Sequence, residues 1–263
     1  MKKIYFTNPY HFVTISPWPL LSSLNVMVLV MMFLEWLFFN SYIMLFLFMF
    51  MMFAVCFQWW RDVIRESEFQ GFHSLLIMKM IRFSFFMFIL SELFFFISFF
   101  WSFFHVMLNP PIECGNCWPP VGISPFDPYG IPMVNSFILI TSGMTLTLSH
   151  HLLILNLDSK SFYLFLTILL GMMFTFIQCL EYNFSSFSIS DSVYGSLFFM
   201  MTGFHGLHVA IGLIFLSVCF YRVVSSHFLS YHHVGFEAAS WYWHFVDVVW
   251  LFLYMIVYWW SVN

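Results

Sequence analysis

Charged residues are scarce in this sequence. Only 8% of its 263 residues are Asp, Glu, Lys or Arg, whereas 62% are hydrophobic and 40 are Phe. A soluble domain carries about 25% charged residues. The composition therefore excludes a soluble protein and indicates an integral membrane protein. The net charge of −4, with His neutral, implies no nucleic-acid partner.

Several signals that would assign a function are missing as well. The segment 1–20 has two lysines but no continuous apolar core and no small-residue cleavage site. We therefore expect neither a secretory signal nor an Arg-rich transit peptide, and we expect synthesis in the compartment where the protein is inserted. The sequence has no Walker loop, nucleophile elbow or HExxH motif. No histidine pair has the spacing typical of four-helix haem cytochromes, so a haem cytochrome lacks its strongest signature here.

Cysteine is also sparse. Three of the five cysteines lie in apolar stretches, and the other two, Cys114 and Cys117, form a lone C-x-x-C pair in a loop. This is no disulfide framework, and a single pair is a weak indication of a metal site. A structural or accidental origin of the pair is favoured.

Proline is absent from the interior of the long apolar runs. All ten prolines lie at 9–19 or 110–132, which predicts continuous helices and argues against a transporter built on broken helices. The runs predict an all-α membrane protein with seven transmembrane helices in a single membrane domain, 1–263. Asn40-Ser41 is only a tight turn, so the first two helices should form an antiparallel pair. The predicted helices are 18–38, 41–60, 74–104, 132–155, 161–182, 193–221 and 234–260.

The distribution of cations supports the count of seven. With seven spans, all eight lysines and arginines fall on one membrane face, and the charged residues of the opposite face are all acidic. The cationic face should be the cytoplasm or the mitochondrial matrix. We therefore expect the N-terminus inside and the C-terminus outside. The cations are Lys2, Lys3, Arg61, Arg65, Lys79, Arg82, Lys160 and Arg222.

One ionisable residue stands inside the third span. Glu92 is the only charged group between 83 and 104, which places it near the middle of the bilayer. A carboxylate costs several kcal/mol there, so Glu92 must be protonated, paired, or in contact with water or a lipid headgroup. One alternative is a neutral carboxyl that is hydrogen-bonded to a neighbour such as Ser91. The other is a functional proton or lipid site.

Two further groups of residues, the segment 58–68 and the pair His205 and His208, each have a structural and a functional interpretation. The segment 58–68 is either a helix end whose cations reach water or a phospholipid headgroup site near His73. His205 and His208 share a helix face and either bind metal or, as we favour, hydrogen-bond to neighbouring helices or lipid phosphates. Gly206 and Ala210 have the small-xxx-small spacing that allows close helix packing.

The last span carries a similar ambiguity. His244 and Asp247 can pair on one face, either as a proton relay or, preferably, as a polar seam between helices. His150 and His151 end the fourth span. Because adjacent side chains on a helix diverge by about 100°, these two cannot easily chelate one ion.

One set of motifs is spread along most of the chain. The motifs are QWWRDVIRE with FQGFH (58–73), LSELFFF (90–96), FFWSFFH (99–105), CWPP (117–120), SHH (149–151), ISDSVYGS (189–196), TGFHGLH (202–208) and HHVGFEAASWYWHFVDVVWLFLY (232–254). Together they resemble one family, subunit III of cytochrome c oxidase. The resemblance runs from 16 to 260 and is densest in the last span, whereas 21–55 and 152–175 match only in hydropathy. Cys114 and the residues Val106 and Met107 depart from the family pattern.

The resemblance implies a fold and a role. It implies seven helices in two groups, two plus five, that form a V-shaped cleft filled with phospholipids. It also implies a chain with no catalytic residue and no metal or cofactor of its own, since haem A and copper lie in partner subunits. Glu92 would be the intramembrane residue linked to protons or lipids, and four residues would lie near cleft lipids: Arg65, Glu66, His73 and His208.

The implied partners are subunit I above all, subunit II, accessory subunits and membrane lipids. The Phe and Met excess suits a mitochondrial genome, so the implied location is the mitochondrial inner membrane, with the N-terminus in the matrix and the C-terminus in the intermembrane space. A bacterial homologue is the less favoured source. A self-sufficient transporter that uses Glu92 and the histidine pair as a proton path is the alternative from another class.

Overall fold

The described part of the chain is built from long helices. The computed structural model describes residue 11 and residues 13–112 and 115–261, and within these residues seven helices are long and apolar enough to cross a membrane. The predicted all-α class and seven spanning helices are therefore confirmed. The helices are α1 (Trp18–Phe39), α2 (Ile43–Glu68), α3 (Leu75–Leu108), α4 (Ile131–Ile154), α5 (Lys160–Asn183), α6 (Ser192–Val224) and α7 (Val234–Leu253), which continues as a π-helix over Tyr254–Trp260.

The chain divides into two compact units, Met1–Ile81 and Arg82–Asn263, and the division falls within α3. In the first unit, α1 and α2 pack side by side. Asn40 ends α1 in the left-handed conformation (φ 54°), and its backbone N–H donates to the carbonyl of Trp36. Asparagine tolerates this conformation at a helix end, which explains the short turn predicted there. The two-plus-five grouping, the V-shaped cleft and the single domain stay predictions.

The helices of the first unit bury few side chains. None of the residues of α1 is buried, and α2 buries only Val55 and Glu66. Lipid tails are as apolar as leucine, so apolar side chains that face outward carry no penalty in a bilayer. α2 continues to Glu68, so the polar segment 61–68 prolongs this helix beyond the predicted span.

Two tryptophans of α7 organise the core of the second unit. Trp243 and Trp250 are fully buried. Their indole N–H groups donate to Ser142 Oγ (2.9 Å) and Ser136 Oγ (3.0 Å) of α4. A buried indole N–H usually finds such a partner. Because the order of the partners reverses between the two helices, α4 and α7 run antiparallel.

All three cations of the second unit lie at one end of its bundle. Arg82 pairs with Glu237 in the first turn of α7 (2.6 Å). Lys160 begins α5, and its backbone carbonyl accepts a hydrogen bond from a serine near the end of α4 (2.8 Å). Arg222, near the end of α6, lies 4.1 Å from the ring of Phe228, shortly before α7 begins. The shared face predicted from the charge pattern is thus found within this unit, while its orientation in the membrane stays a prediction.

Candidate functional site

Helices α3 and α6 bring the intramembrane glutamate and a histidine together. His208 Nε2 lies 3.0 Å from Glu92 Oε2, and the two side chains are 12% and 26% exposed. The other ring nitrogen, Nδ1, lies 2.7 Å from the backbone carbonyl of Phe204. Ser91 instead donates to the carbonyl of Phe88 in its own helix (2.7 Å). Glu92 is therefore paired with a histidine of another helix and not with the neighbouring serine.

The geometry fixes the number of protons on this pair. A carbonyl oxygen can only accept, so Nδ1 of His208 must carry a proton. The bond between Nε2 and Glu92 then needs one further proton, which resides on either the carboxyl or the imidazole. In both cases the pair is neutral as a whole. A neutral pair avoids most of the cost that an isolated carboxylate has inside a bilayer.

The pair opens onto an apolar cavity of ≈ 510 Å³ in the second unit. The ring of Tyr242 stacks on His208 at 6.2 Å, and Phe96 meets it edge-on at 5.1 Å. Such a cavity suits a long hydrocarbon chain more than a polar solute, because only Glu92, His208 and Tyr242 offer polar atoms. The remaining lining residues are Phe85, Phe88, Phe95, Phe204, Leu207, Ile211 and Phe215.

His205, the other member of the histidine pair, has a separate partner. It is 1% exposed, and its Nε2 lies 3.2 Å from the carbonyl of Val246 in α7. This arrangement agrees with the favoured interpretation that His205 and His208 hydrogen-bond to neighbouring helices. The two histidines serve two different interhelical contacts, and neither belongs to the cluster of metal-ligating side chains found among the described residues.

The remaining predicted lipid residues lie in the first unit. Glu66 is buried (7% exposed), accepts a hydrogen bond from the hydroxyl of Thr14, and lies 3.3 Å from His11 Nε2. The ring of His11 also meets His73 edge-on at 5.4 Å. Glu66 and His73 are thus joined through His11, which the sequence patterns did not single out.

Arg65 lies beside this group with its side chain largely outward. It is 58% exposed, and its guanidinium is 4.0 Å from Asp62. Asp62 is held more closely by two other side chains, Arg61 (3.1 Å) and the indole N–H of Trp18 (2.7 Å). Arg65 therefore keeps most of its hydrogen-bonding capacity toward the surroundings, and its pairing with Asp62 at spacing three is weak.

The buried acidic groups of the second unit have mainly structural partners. Tyr258 OH donates to Glu181 Oε1 (2.7 Å), and both side chains are fully buried. His244 Nδ1 is 3.9 Å from Asp247 Oδ2, the limit of an ion pair. The Asp247 carboxylate packs against Gly143 of α4, where a Cβ would come within 2.6 Å of it. This contact favours the polar seam over the proton relay.

Only one cysteine of the C-x-x-C pair lies within the described residues. Cys114 lies outside the described residues, and Cys117 is exposed. The connection between α3 and α4 thus adds no described ligand to the sites above.

Comparison with known proteins identifies the family. A family model described as Cytochrome c oxidase subunit III matches residues 8–262. The chain belongs to the cytochrome c oxidase subunit III family. The cytochrome c oxidase subunit 3 proteins of Dugong dugon and Lemur catta are each 51% identical to it over 256 residues, and that of Rattus norvegicus is 50% identical. These alignments cover 97% of this chain and 93–98% of the relatives.

Membership of the subunit III family confirms the resemblance seen in the motifs. It also agrees with a multi-span protein of the respiratory chain. The Glu92–His208 pair and the group around Glu66 both lie within the matched residues.

Proposed function

We propose that this chain is the non-catalytic subunit III of cytochrome c oxidase, the terminal respiratory complex that reduces O2 to water with electrons from cytochrome c and pumps protons. In this role it stabilises the catalytic subunit, supports proton uptake and binds structural phospholipids. The observation that carries the proposal is the family match over nearly the whole chain, together with a neutral Glu92–His208 pair at the wall of an apolar cavity.

The proposed location is the mitochondrial inner membrane, with the N-terminus in the matrix and the C-terminus in the intermembrane space. The cations at one end of the second unit support this orientation, because positive residues stay on the side of synthesis. Subunit I is the proposed main partner, with subunit II and accessory subunits beside it. Haem A and copper belong to those partners in this proposal, and phospholipids are the molecules held by this chain.

The chemistry of the Glu92–His208 pair favours a structural and lipid-binding role over a catalytic one. Glu92 and His208 can hold and exchange one proton, but their pairing leaves no net charge that would attract a metal or an anionic substrate. The aromatic wall of the cavity suits acyl chains through van der Waals packing, which is the main attraction between apolar groups inside a bilayer. We infer that the pair anchors the polar end of this cavity and that lipid fills the remainder.

The proposal is tested by Glu92→Ala in the intact complex, with Ser91→Ala as the matched control. Ser91 is the adjacent residue, and its hydroxyl donates to the carbonyl of Phe88 in the same helix. Because no redox centre is removed, the initial rate of O2 reduction should stay within about twofold, roughly 0.4 kcal/mol in the barrier. The activity of the Glu92 variant should then decay faster during turnover, since His208 loses its partner, while the Ser91 variant should decay like the native complex.

Haem content and native gels are measured first, so that only assembled complexes are compared. Complete loss of the initial rate in an assembled complex would contradict a non-catalytic role. Identical decay in all three complexes would contradict a role for the Glu92–His208 pair. Purification of the chain alone, with solute transport in liposomes, would favour the transporter alternative.

A further inference from the structure

A second cluster of ligating side chains lies at the cationic end of the second unit, away from Glu92. His150, His233 and Glu237 each offer one ligand atom, and these three atoms all lie within 4.8 Å of one another. His150 stands near the end of α4, His233 immediately precedes α7, and Glu237 lies in the first turn of α7. The antiparallel packing of α4 and α7 explains why residues so far apart in sequence meet here.

The hydrogen bonds of His233 point its second nitrogen at a carboxylate. Nδ1 lies 3.1 Å from the backbone carbonyl of Leu229, so it must be the protonated nitrogen. Nε2 then presents a lone pair toward Glu237 Oε1, 3.4 Å away. Two acceptors that face each other repel, and a cation between them, either a proton or a metal ion, removes that repulsion. Histidine ligands are commonly oriented by such a backbone acceptor on the other ring nitrogen.

His150 provides the third side of the cluster. Its ring stacks on Phe236 at 5.5 Å and meets His233 edge-on at 5.3 Å. Its Nε2 atom is buried and has no hydrogen-bond partner among the described residues. Buried polar atoms normally have one. This nitrogen therefore lacks the partner that a ligand at the cluster would supply.

We propose that His150, His233 and Glu237 form a binding site for a divalent metal ion of the zinc type, with water as the fourth ligand. Two imidazoles, one carboxylate and a water are a ligand set that zinc accepts, at bond lengths of about 2.0–2.2 Å. Ligands at such distances from a tetrahedral ion are roughly 3.3 Å apart, close to the separation of His233 Nε2 and Glu237 Oε1. Magnesium and calcium prefer oxygen ligands alone and fit this site less well.

Arg82 sets the affinity of the site. Its guanidinium donates to both oxygens of Glu237, at 2.6 Å to Oε2 and 3.0 Å to Oε1. It holds the carboxylate in place, but it also brings a positive charge next to the position of the ion. A bound metal would have to share Glu237 Oε1 with Arg82. Removing the arginine charge should therefore strengthen metal binding, whereas removing a ligand should weaken it.

The test uses the purified intact complex in magnesium-containing buffer, with radioactive zinc in equilibrium dialysis. Zinc already bound to the complex is measured and subtracted. His150→Gln and His233→Gln should each lower the affinity of one site by more than about 100-fold, beyond the 10- to 100-fold typical of outer-shell changes. His151→Gln is the matched control, because His151 is adjacent to His150, exposed and outside the cluster. It should bind zinc like the native complex.

A second variant keeps the test independent of folding defects. Arg82→Gln should raise the affinity by about 10-fold, as expected when roughly 1.4 kcal/mol of charge repulsion is removed. X-ray absorption at the zinc edge should report two nitrogen ligands in the native complex and a lower number in the His150 variant. The proposal is overturned if the native complex binds no added zinc, if His151→Gln loses zinc as His150→Gln does, or if Arg82→Gln binds more weakly.

Discussion

At the scale of single residues, the membrane-embedded charges are explained by their partners. Glu92 is hydrogen-bonded to Nε2 of His208, whose Nδ1 lies against a backbone carbonyl, so one shared proton leaves this pair without net charge. Arg82 and Glu237 form a two-bond ion pair between the beginnings of α3 and α7. An Arg–carboxylate pair of this kind is among the stronger hydrogen-bonded contacts. Each of these two pairs joins two helices of the second unit.

Arg65 differs because its guanidinium is mostly exposed and only weakly paired. We predict that Arg65→Gln weakens the retention of anionic phospholipid by the purified complex. The loss should be roughly 10- to 100-fold in affinity, since a hydrogen bond to a charged group contributes about 1.5–3 kcal/mol. Quantitative lipid analysis by mass spectrometry after detergent washing measures it.

Arg61→Gln is the comparison for this prediction. Arg61 has the same charge and lies one helical turn away, but it is already bound to Asp62 at 3.1 Å. The Arg61→Gln complex should therefore retain nearly the native lipid content. Equal lipid loss in both variants would point to general surface charge and not to a headgroup site at Arg65.

At the scale of elements, α6 shows where two helices approach closely. The small-xxx-small spacing of Gly206 and Ala210 predicted a close contact, but a Cβ on Gly206 would meet no atom within 4 Å. The close approach occurs at Gly212, which lies against the ring of Trp243, with Gly171 of α5 on the same ring. The spacing of small residues does not indicate which face of the helix packs against a large side chain. Here the closest approach lies where Trp243 packs against α6, at Gly212 and not at Gly206.

We predict that Gly212→Ala destabilises the second unit. Its Cβ would lie 2.9 Å from Trp243, and overpacking of this kind costs about 1–3 kcal/mol. Gly203→Ala in the same helix is the control, because nothing lies within 4 Å of its Cβ and alanine favours a helix by up to about 1 kcal/mol. Thermal inactivation of the complex should be earlier for Gly212→Ala and unchanged or later for Gly203→Ala. The reverse order would contradict this account of the contact.

The sequence predicted the helices more fully than their contacts. Helix number and class follow from apolar length and from the position of proline, both of which are local properties. The partners of Glu92 and Glu237 stand 116 and 155 residues away, and no helix periodicity relates residues so far apart. His11 was missed for a similar reason, since nothing in its neighbourhood indicates that Glu66 folds against it. The motifs located the candidate residues, and tertiary packing paired them.

At the scale of the whole molecule, the charge pattern and the packing give the same arrangement of helix ends in the second unit. Arg82, Lys160 and Arg222 share one end of this unit. Cys117 lies in the connection before α4, whereas Lys160 follows the end of α4. A single crossing of the membrane by α4 therefore separates Cys117 from Lys160. Whichever face one of them occupies, the other must occupy the opposite face.

The positive-inside rule then makes a prediction about each face. In mitoplasts, a membrane-impermeant maleimide should label the exposed Cys117, and an impermeant amine reagent should leave Lys160 unmodified. In inverted inner-membrane vesicles the two results should exchange. Cys219, which is buried in α6, should stay unlabelled in both preparations until the protein is denatured, so its labelling would show that the protein has unfolded. Labelling of Cys117 only in the inverted vesicles would reverse the proposed orientation, whereas labelling of Cys117 and Lys160 from the same side would mean that α4 does not cross the bilayer.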